Sequence, residues 1–270
     1  MRKITIPSAL ILILIMGGCT STSKVTIAPA PTIDAIGAGK ILTAAFQQKA
    51  AEYRALCYQA YNSAYRSLDI FLQERTSKPP AIMTDIDETV LDNSPYQVHQ
   101  SLQGKDFEQE SWFEWTSRAE ADTVPGAVAF FNYAASKGVE IFYVTNREER
   151  ERAATLINLK KYGFPNADNA HLKLKTTTSS KVPRRDSIAA TYNILMFVGD
   201  NLNDMDGGFE KKSTEARFLE TNNHFSDFGK RFIVLPNPSY GEWENAIYKY
   251  NFSLTPAQKD SVYRSILKNY

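Results

Sequence analysis

The sequence predicts an α/β protein: a Rossmann-like parallel sheet with helices on both faces, plus a small helical cap or subdomain. Two observations carry the sheet. Short apolar runs, "AIMTDI", "VEIFYVT", "NILMFVG" and "RFIVLP", read as strands, and helical segments separate them. That alternation is the signature of strands joined by crossover helices. A third observation carries the cap. Residues 94 to 122, "SPYQVHQSLQGKDFEQESWFEWTSRAEAD", directly follow the first strand and break the alternation.

The elements follow in chain order. Arg2 and Lys3 precede the apolar run "ITIPSALILILIM", which ends in small residues at "GGC". A basic start, a short apolar core and a small-residue cleavage site predict a secretory leader over residues 1–18 rather than a membrane span. Cys19 resembles the lipidated cysteine of a bacterial lipobox, with Met16 standing where leucine is usual and Thr20 favouring outer-membrane sorting. The resemblance implies a lipid-anchored protein of the cell envelope, at the outer membrane of a Gram-negative bacterium. Residues 19–41, polar with Pro, Ser and Gly, then read as a tether. A domain is expected over 42–270, its helical subdomain built from about 42–76 and 94–122.

Apolar residues recur every three or four positions from Leu42 through Phe46, Tyr53, Cys57, Tyr61 and Tyr65 to Leu68, which predicts one long amphipathic helix ended by "SKPP". Cys57 on that stripe is expected to be a buried, inert thiol. After the first strand and the cap, "VPGAVAFFNYAASKG" is a helix between Pro125 and Gly138. "REERERAATLINLKKYG" is another, closed by Gly163, and the last helix starts at Thr255 as N-cap with Pro256 in its first turn. Thirty-one basic against 30 acidic residues leave no strong net charge, which excludes an extended nucleic-acid surface.

Function shows at the strand ends. The first strand ends in Asp85-Ile86-Asp87, the second in Thr145-Asn146-Arg147, and the third in Gly199-Asp200, followed by Asp204. Lys181 lies between the second and third. Carboxyl ends of parallel strands line the ligand crevice of such sheets, so these groups are expected to meet. Crowded carboxylates raise one another's pKa values and destabilise the fold unless something compensates. A hard divalent cation held by oxygens is the natural compensation, and Mg2+ fits because it takes few protein oxygens.

The pattern Asp85-Ile86-Asp87-Glu88-Thr89, Thr145, Lys181 and Asp200 with Asp204 resembles the haloacid dehalogenase-like phosphohydrolases. Within them, "DIDETVLDN", "FYVTNR", "FVGDNLND" and "FIVLPNPSYGEWE" resemble the bacterial class C (non-specific) acid phosphatases, secreted or lipid-anchored enzymes, over nearly all of the mature chain. The resemblance implies a magnesium-dependent phosphomonoesterase with Asp85 as nucleophile and Asp87 as general acid and base. The metal would be held by Asp85, the backbone carbonyl of Asp87, and Asp200. Thr145 and Lys181 would bind phosphoryl oxygens, with Asp204 orienting Lys181 or a metal-bound water. Trp112 and Tyr240 would sandwich the ring of a 5'-nucleotide, nicotinamide mononucleotide or aryl phosphate, with Asn146 and Arg147 beside them. Trp115 and Trp243 are assigned to packing.

The expected partners are thus a small phosphomonoester, a membrane through Cys19, and a second copy in a homodimer. Two other readings stay open. One is a surface lipoprotein that binds haem or a nucleotide at a vestigial site. The other is a phosphotransferase, in which an alcohol attacks the same intermediate. An EF-hand loop from Asp85 fails because Val90 takes the turn-glycine position. No P-loop is present, and His99, His171 and His224 are scattered. Glu88 is expected to be solvated, and Asp92 and Asn93 to shape the turn into the cap.

Overall fold

A computed structural model describes residues 35–270 except Arg75. The leader 1–18, Cys19 and the tether as far as residue 34 lie outside the described residues.

The sheet has five parallel strands in the order β5-β4-β1-β6-β7: β1 (Pro80–Thr84), β4 (Glu140–Val144), β5 (Leu172–Lys173), β6 (Asn193–Gly199) and β7 (Phe232–Val234). The fold class read from the sequence is therefore the observed one. Missing from that reading are the short edge strand β5 and the two-stranded antiparallel ribbon of β2 (Leu91–Asp92) and β3 (Asp122–Thr123). Strands of two residues carry too little periodicity to be seen in sequence.

Successive side chains of β1 face opposite ways, which is why a continuous apolar run is needed. Ile82 joins Ile141 and Met196 on one face with Tyr61, Phe130 and Phe131; Ala81 and Met83 join Phe142, Phe197 and Ile188 on the other. The first face is covered by α2 (Ala51–Phe71) and α5 (Ala127–Ser136), and it also takes in Leu159 of α6 (Arg152–Lys161). Ile188 of α7 (Val182–Ala189) covers the second. Truncating a ring such as Phe130 there should cost about 3–5 kcal/mol.

The long N-terminal helix is in fact two. α1 (Ala35–Lys49) begins inside the expected tether, and Ala50, with extended φ −81° and ψ 130°, separates it from α2. Each piece answers to a different partner. α2 buries Tyr53, Cys57, Tyr61 and Leu68 with the sheet, whereas α1 lies along α3 (Ser94–Leu102). The helical subdomain expected over 42–76 and 94–122 therefore divides, with α2 belonging to the sheet layers. Cys57 is buried, and burial pushes its thiol up to about 11.

Between β2 and β3 the cap carries α3 and α4 (Gln109–Ser117), and α4 packs on α6. After β6 come α8 (Thr214–Asn223), then α9 (Glu242–Ile247) and α10 (Pro256–Ile266) behind β7. The cap loop is pinned from both chain ends: Asp106 takes Lys40 of α1 and Lys259 of α10, each at 2.6 Å. Among the described residues no helix is long and apolar enough to cross a membrane.

Candidate active site

The order β4-β1-β6 places the ends of the three motif-bearing strands side by side. Asp85, just past β1, is tied to β6 by its backbone N–H, which donates to Val198 O at 2.9 Å. Its carboxylate accepts from Lys181 Nζ at 2.5 Å, and the same ammonium lies 2.6 Å from Asp204. Asp204 packs directly on Gly199, where any side chain would occupy the space of its carboxylate. That carboxylate also accepts the N–H of Asn201 at 3.1 Å. Asp200 accepts from Thr89 Oγ1 at 3.3 Å and from Asn237 Nδ2 at 2.7 Å.

The carboxylates of Asp85, Asp200 and Asp204 each bring an oxygen within 4.8 Å of the others, a group that could hold a metal ion. One lysine, Lys181, pairs with two of the three, Asp85 and Asp204. Burial first, then Asp204 and Asp87, push the Asp85 carboxyl up to about 7 despite Lys181. Burial and the neighbouring Asp204 and Asp85 raise Asp200 well above the usual range. Burial draws Lys181 down, but Asp204 and Asp85 hold it above its ordinary value. Hard oxygen donors with more negative charge than one ammonium can offset fit a divalent cation. All three carboxylates already have protein partners, and Lys181 bridges Asp85 and Asp204.

Asp87 points to a different set of partners. Its Oδ1 accepts from Arg147 Nη2 at 2.8 Å, Arg147 Nε at 3.1 Å and Asn93 Nδ2 at 2.9 Å. Thr145, fully buried at the end of β4, donates to Asp87 Oδ2 at 3.4 Å and accepts the N–H of Arg147 at 3.1 Å. Arg147, expected to bind substrate, is buried and committed to Asp87 and to Thr155 Oγ1 at 3.0 Å. Burial pulls its pKa down, yet Asp87 holds it above the usual value. Asn146 is exposed and accepts from Arg184 Nη2 at 2.8 Å.

Glu88 departs most from expectation. It is 1 % exposed, in the left-handed region at φ 55°, and its carboxylate accepts the N–H of Asn93 at 2.8 Å and the hydroxyl of Tyr240. Burial, then Asp87 and Asp200, raise its pKa well above the usual range. A carboxyl so placed is structural, whereas the sequence showed only its charge. Trp112 is 9 % exposed, set edge-on to Tyr96 at 5.1 Å, with its Nε1–H on Glu151 at 3.0 Å and the Arg147 guanidinium 5.8 Å from its ring. Tyr240 is half-buried. Three contributors escaped sequence reading. Asn237 holds Asp200, Arg184 donates to Thr145 O at 2.5 Å, and Trp115 donates to Asn93 Oδ1 at 2.8 Å. Only the Asn237-Pro238 turn, just after an apolar strand, carried a local signal.

A central parallel strand ending in D-x-D, beside a lysine and a distal acidic pair, is the layout of the haloacid dehalogenase-like class. Comparison narrows this: the chain belongs to the acid phosphatases of the HAD superfamily, subfamily IIIB, whose family model matches residues 19–243. The class C acid phosphatase from Bacillus anthracis superposes with a TM-score of 0.84 at 40 % identity, over 87 % of this chain and 99 % of that one. The same enzyme with tungstate bound gives 0.83 at 40 %, over 87 % and 98 %. Plant relatives are more distant. The stem 28 kDa glycoprotein of Glycine max is 28 % identical over 162 residues, 57 % of each chain. Acid phosphatase 1 of Solanum lycopersicum is 26 % identical over 58 % of this chain and 56 % of that one. The match thus spans little more than half the length of these plant proteins.

Proposed function

We propose that the chain is a magnesium-dependent acid phosphatase that hydrolyses small phosphomonoesters through an aspartyl-phosphate on Asp85. The observation that carries this is Asp85 at the end of the central strand, 2.5 Å from Lys181 and within reach of the Asp200 carboxylate. The tetrahedral tungstate anion held by the Bacillus anthracis relative points to the same ligand chemistry.

Asp85, Asp200 and the backbone carbonyl of Asp87 would hold Mg2+. When bound, the ion supplies the positive charge that phosphoryl oxygens and crowded carboxylates both require. Asp85 attacks phosphorus as the ester P–O bond breaks, and the leaving oxygen takes a proton from Asp87. Asp87 then removes a proton from the water that attacks the aspartyl-phosphate, which regenerates Asp85 and releases phosphate. Lys181, held by Asp204, stays charged and would bind the transferring oxygens together with the Thr145 hydroxyl. Asn146, which is exposed, would contact the leaving group.

For substrates, we assign 5'-nucleotides, nicotinamide mononucleotide or aryl phosphates, with the ring between Tyr240 and a wall carried by Trp112. Tyr240 has the more accessible face, while Trp112 acts through a rigid, nearly buried edge. We further assign Cys19 as the lipid-bearing residue that anchors the protein at the cell envelope; the family match beginning at residue 19 supports that boundary. Loss of labelling by a radiolabelled fatty acid in Cys19→Ser would test the anchor.

Hydrolysis of p-nitrophenyl phosphate should require Mg2+, stop in EDTA and return when the ion is restored. Absence of turnover at every pH would leave the vestigial, ligand-binding reading standing. Products measured with added alcohol separate hydrolysis from phosphotransfer.

A further inference from the structure

Asp87 stands apart from Asp85 in how its two oxygens are used. Oδ1 accepts three N–H donors within 3.1 Å, from Asn93 Nδ2 and from Arg147 Nε and Nη2. Among the described residues Oδ2 has two contacts, both long at 3.4 Å, from Arg147 Nε and Thr145 Oγ1. Three short N–H bonds fill the acceptor sites of Oδ1 and leave Oδ2 as the oxygen open to exchange a proton with a bound group.

The donors are themselves held. Asn93 is fully buried; its Oδ1 accepts Trp115 Nε1–H at 2.8 Å, and its backbone N–H donates to Glu88 Oε1 at 2.8 Å. With the carbonyl of Asn93 taken by the indole, the amide can present only Nδ2 to Asp87, so its orientation is fixed by the network. Glu88 is closed on its other oxygen by Tyr240. Arg147, the second donor, lies with its guanidinium 5.8 Å from the ring of Trp112. Trp112 and Trp115 both stand on α4, so one cap helix braces both groups that hold Asp87.

We infer that Asn93, oriented by Trp115, is a positioning residue that fixes Asp87 Oδ1 so that Oδ2 delivers the proton to the leaving oxygen. The inference rests on the phosphatase reading above. As the P–O bond breaks, its electron pair passes to the ester oxygen, and the proton on Oδ2 moves to that oxygen. In the second half Oδ2 takes a proton from the attacking water, and the carboxyl group returns to its starting state. An amide that touches neither phosphate nor leaving group thereby affects only the steps that move a proton.

The dependence on leaving group separates this role from mere packing. p-Nitrophenolate leaves readily without a proton, whereas the alkoxide of glycerol phosphate needs one. General-acid assistance is worth about a hundredfold or more. Asn93→Ala should therefore lower kcat/KM for glycerol phosphate about ten- to a hundredfold more than for p-nitrophenyl phosphate. Because Asn93 is buried, Trp115→Phe is measured alongside it. That variant keeps the ring and removes the one N–H that orients Asn93, and it should show a weaker shift of the same sign. Equal losses on both esters in a folded Asn93→Ala would overturn the inference. If Asn93→Ala does not fold, an unchanged ratio in Trp115→Phe would do so. A wild type inert towards both esters would instead sink the phosphatase reading itself.

Discussion

Asp85 and Asp106 each hold a lysine ammonium at 2.5–2.6 Å, yet their protonation is pushed in opposite directions. Burial leads in both and acts upward. At Asp106, however, Lys40 and Lys259 converge on one carboxylate and hold it well below the usual range. At Asp85 a single lysine is shared with Asp204, while Asp200 stands close by, and the carboxyl is held up at about 7. One region has more positive charge than it needs and acts as a clamp. The other has too little, and that deficit is the mark of a site built to receive a cation and a phosphate. The same two residue types thus give a brace in one place and a reaction centre in the other, according to how many of each are buried together.

The largest effect is expected at Asp85. Asp85→Asn leaves a side chain that cannot attack phosphorus, and kcat should fall by at least about a thousandfold. Circular dichroism should remain native, and the metal-free melting temperature should not drop, because one of the crowded charges has gone. Retention of a sizeable fraction of kcat would remove Asp85 as nucleophile.

Substrate choice should give the next effect. Tyr240→Ala is expected to lower kcat/KM about ten- to a hundredfold for nucleoside monophosphates and aryl phosphates, the equivalent of one lost stacking contact. Glycerol phosphate should be affected much less. Trp112→Ala should show the same selectivity together with a marked loss of stability, since its indole is almost fully buried. Equal losses on all esters would return both residues to packing.

The smallest effect belongs to the clamp. Asp106→Asn should leave kcat and KM unchanged and cost about 1 kcal/mol or less, because the three-charge cluster is partly exposed and screened. The sign with pH follows from its depressed folded pKa. The contribution is fully present above the unfolded carboxyl value of about 4 and fades as pH falls through the lower folded value. Wild type and variant should therefore differ in urea midpoint near neutrality, with the gap starting to narrow below about pH 4 and closing only as pH falls through the folded value. A difference that grows with acidity would contradict the assignment.

Much of this was legible in the sequence because it depends on strand ends. Asp85, Thr145 and Asp200 follow apolar runs directly, and parallel-sheet topology brings such ends together whatever lies between. The buried brace around Asp87 was not legible. Glu88 read as solvated and Arg147 as a substrate contact, and the packing read for Trp115 holds but missed its bond to Asn93, since each takes this role from a partner far along the chain. Arg147 reaches back to Asp87, and Trp115 to Asn93. Ala50 shows the same limit: an unbroken apolar period hid a turn that exists because α1 and α2 have different partners. Periodicity reports that a face is buried, not against what.

The central claim is that Asp85 and Asp200 await a divalent cation, and thermal unfolding of metal-free protein titrated with Mg2+ tests it most directly. The melting temperature should rise with the concentration of the ion by mass action. The rise should be much reduced in Asp200→Ala and unchanged in Asp106→Asn. Activity should follow the same titration curve. A melting temperature indifferent to Mg2+, with full phosphatase activity in excess EDTA, would contradict the account.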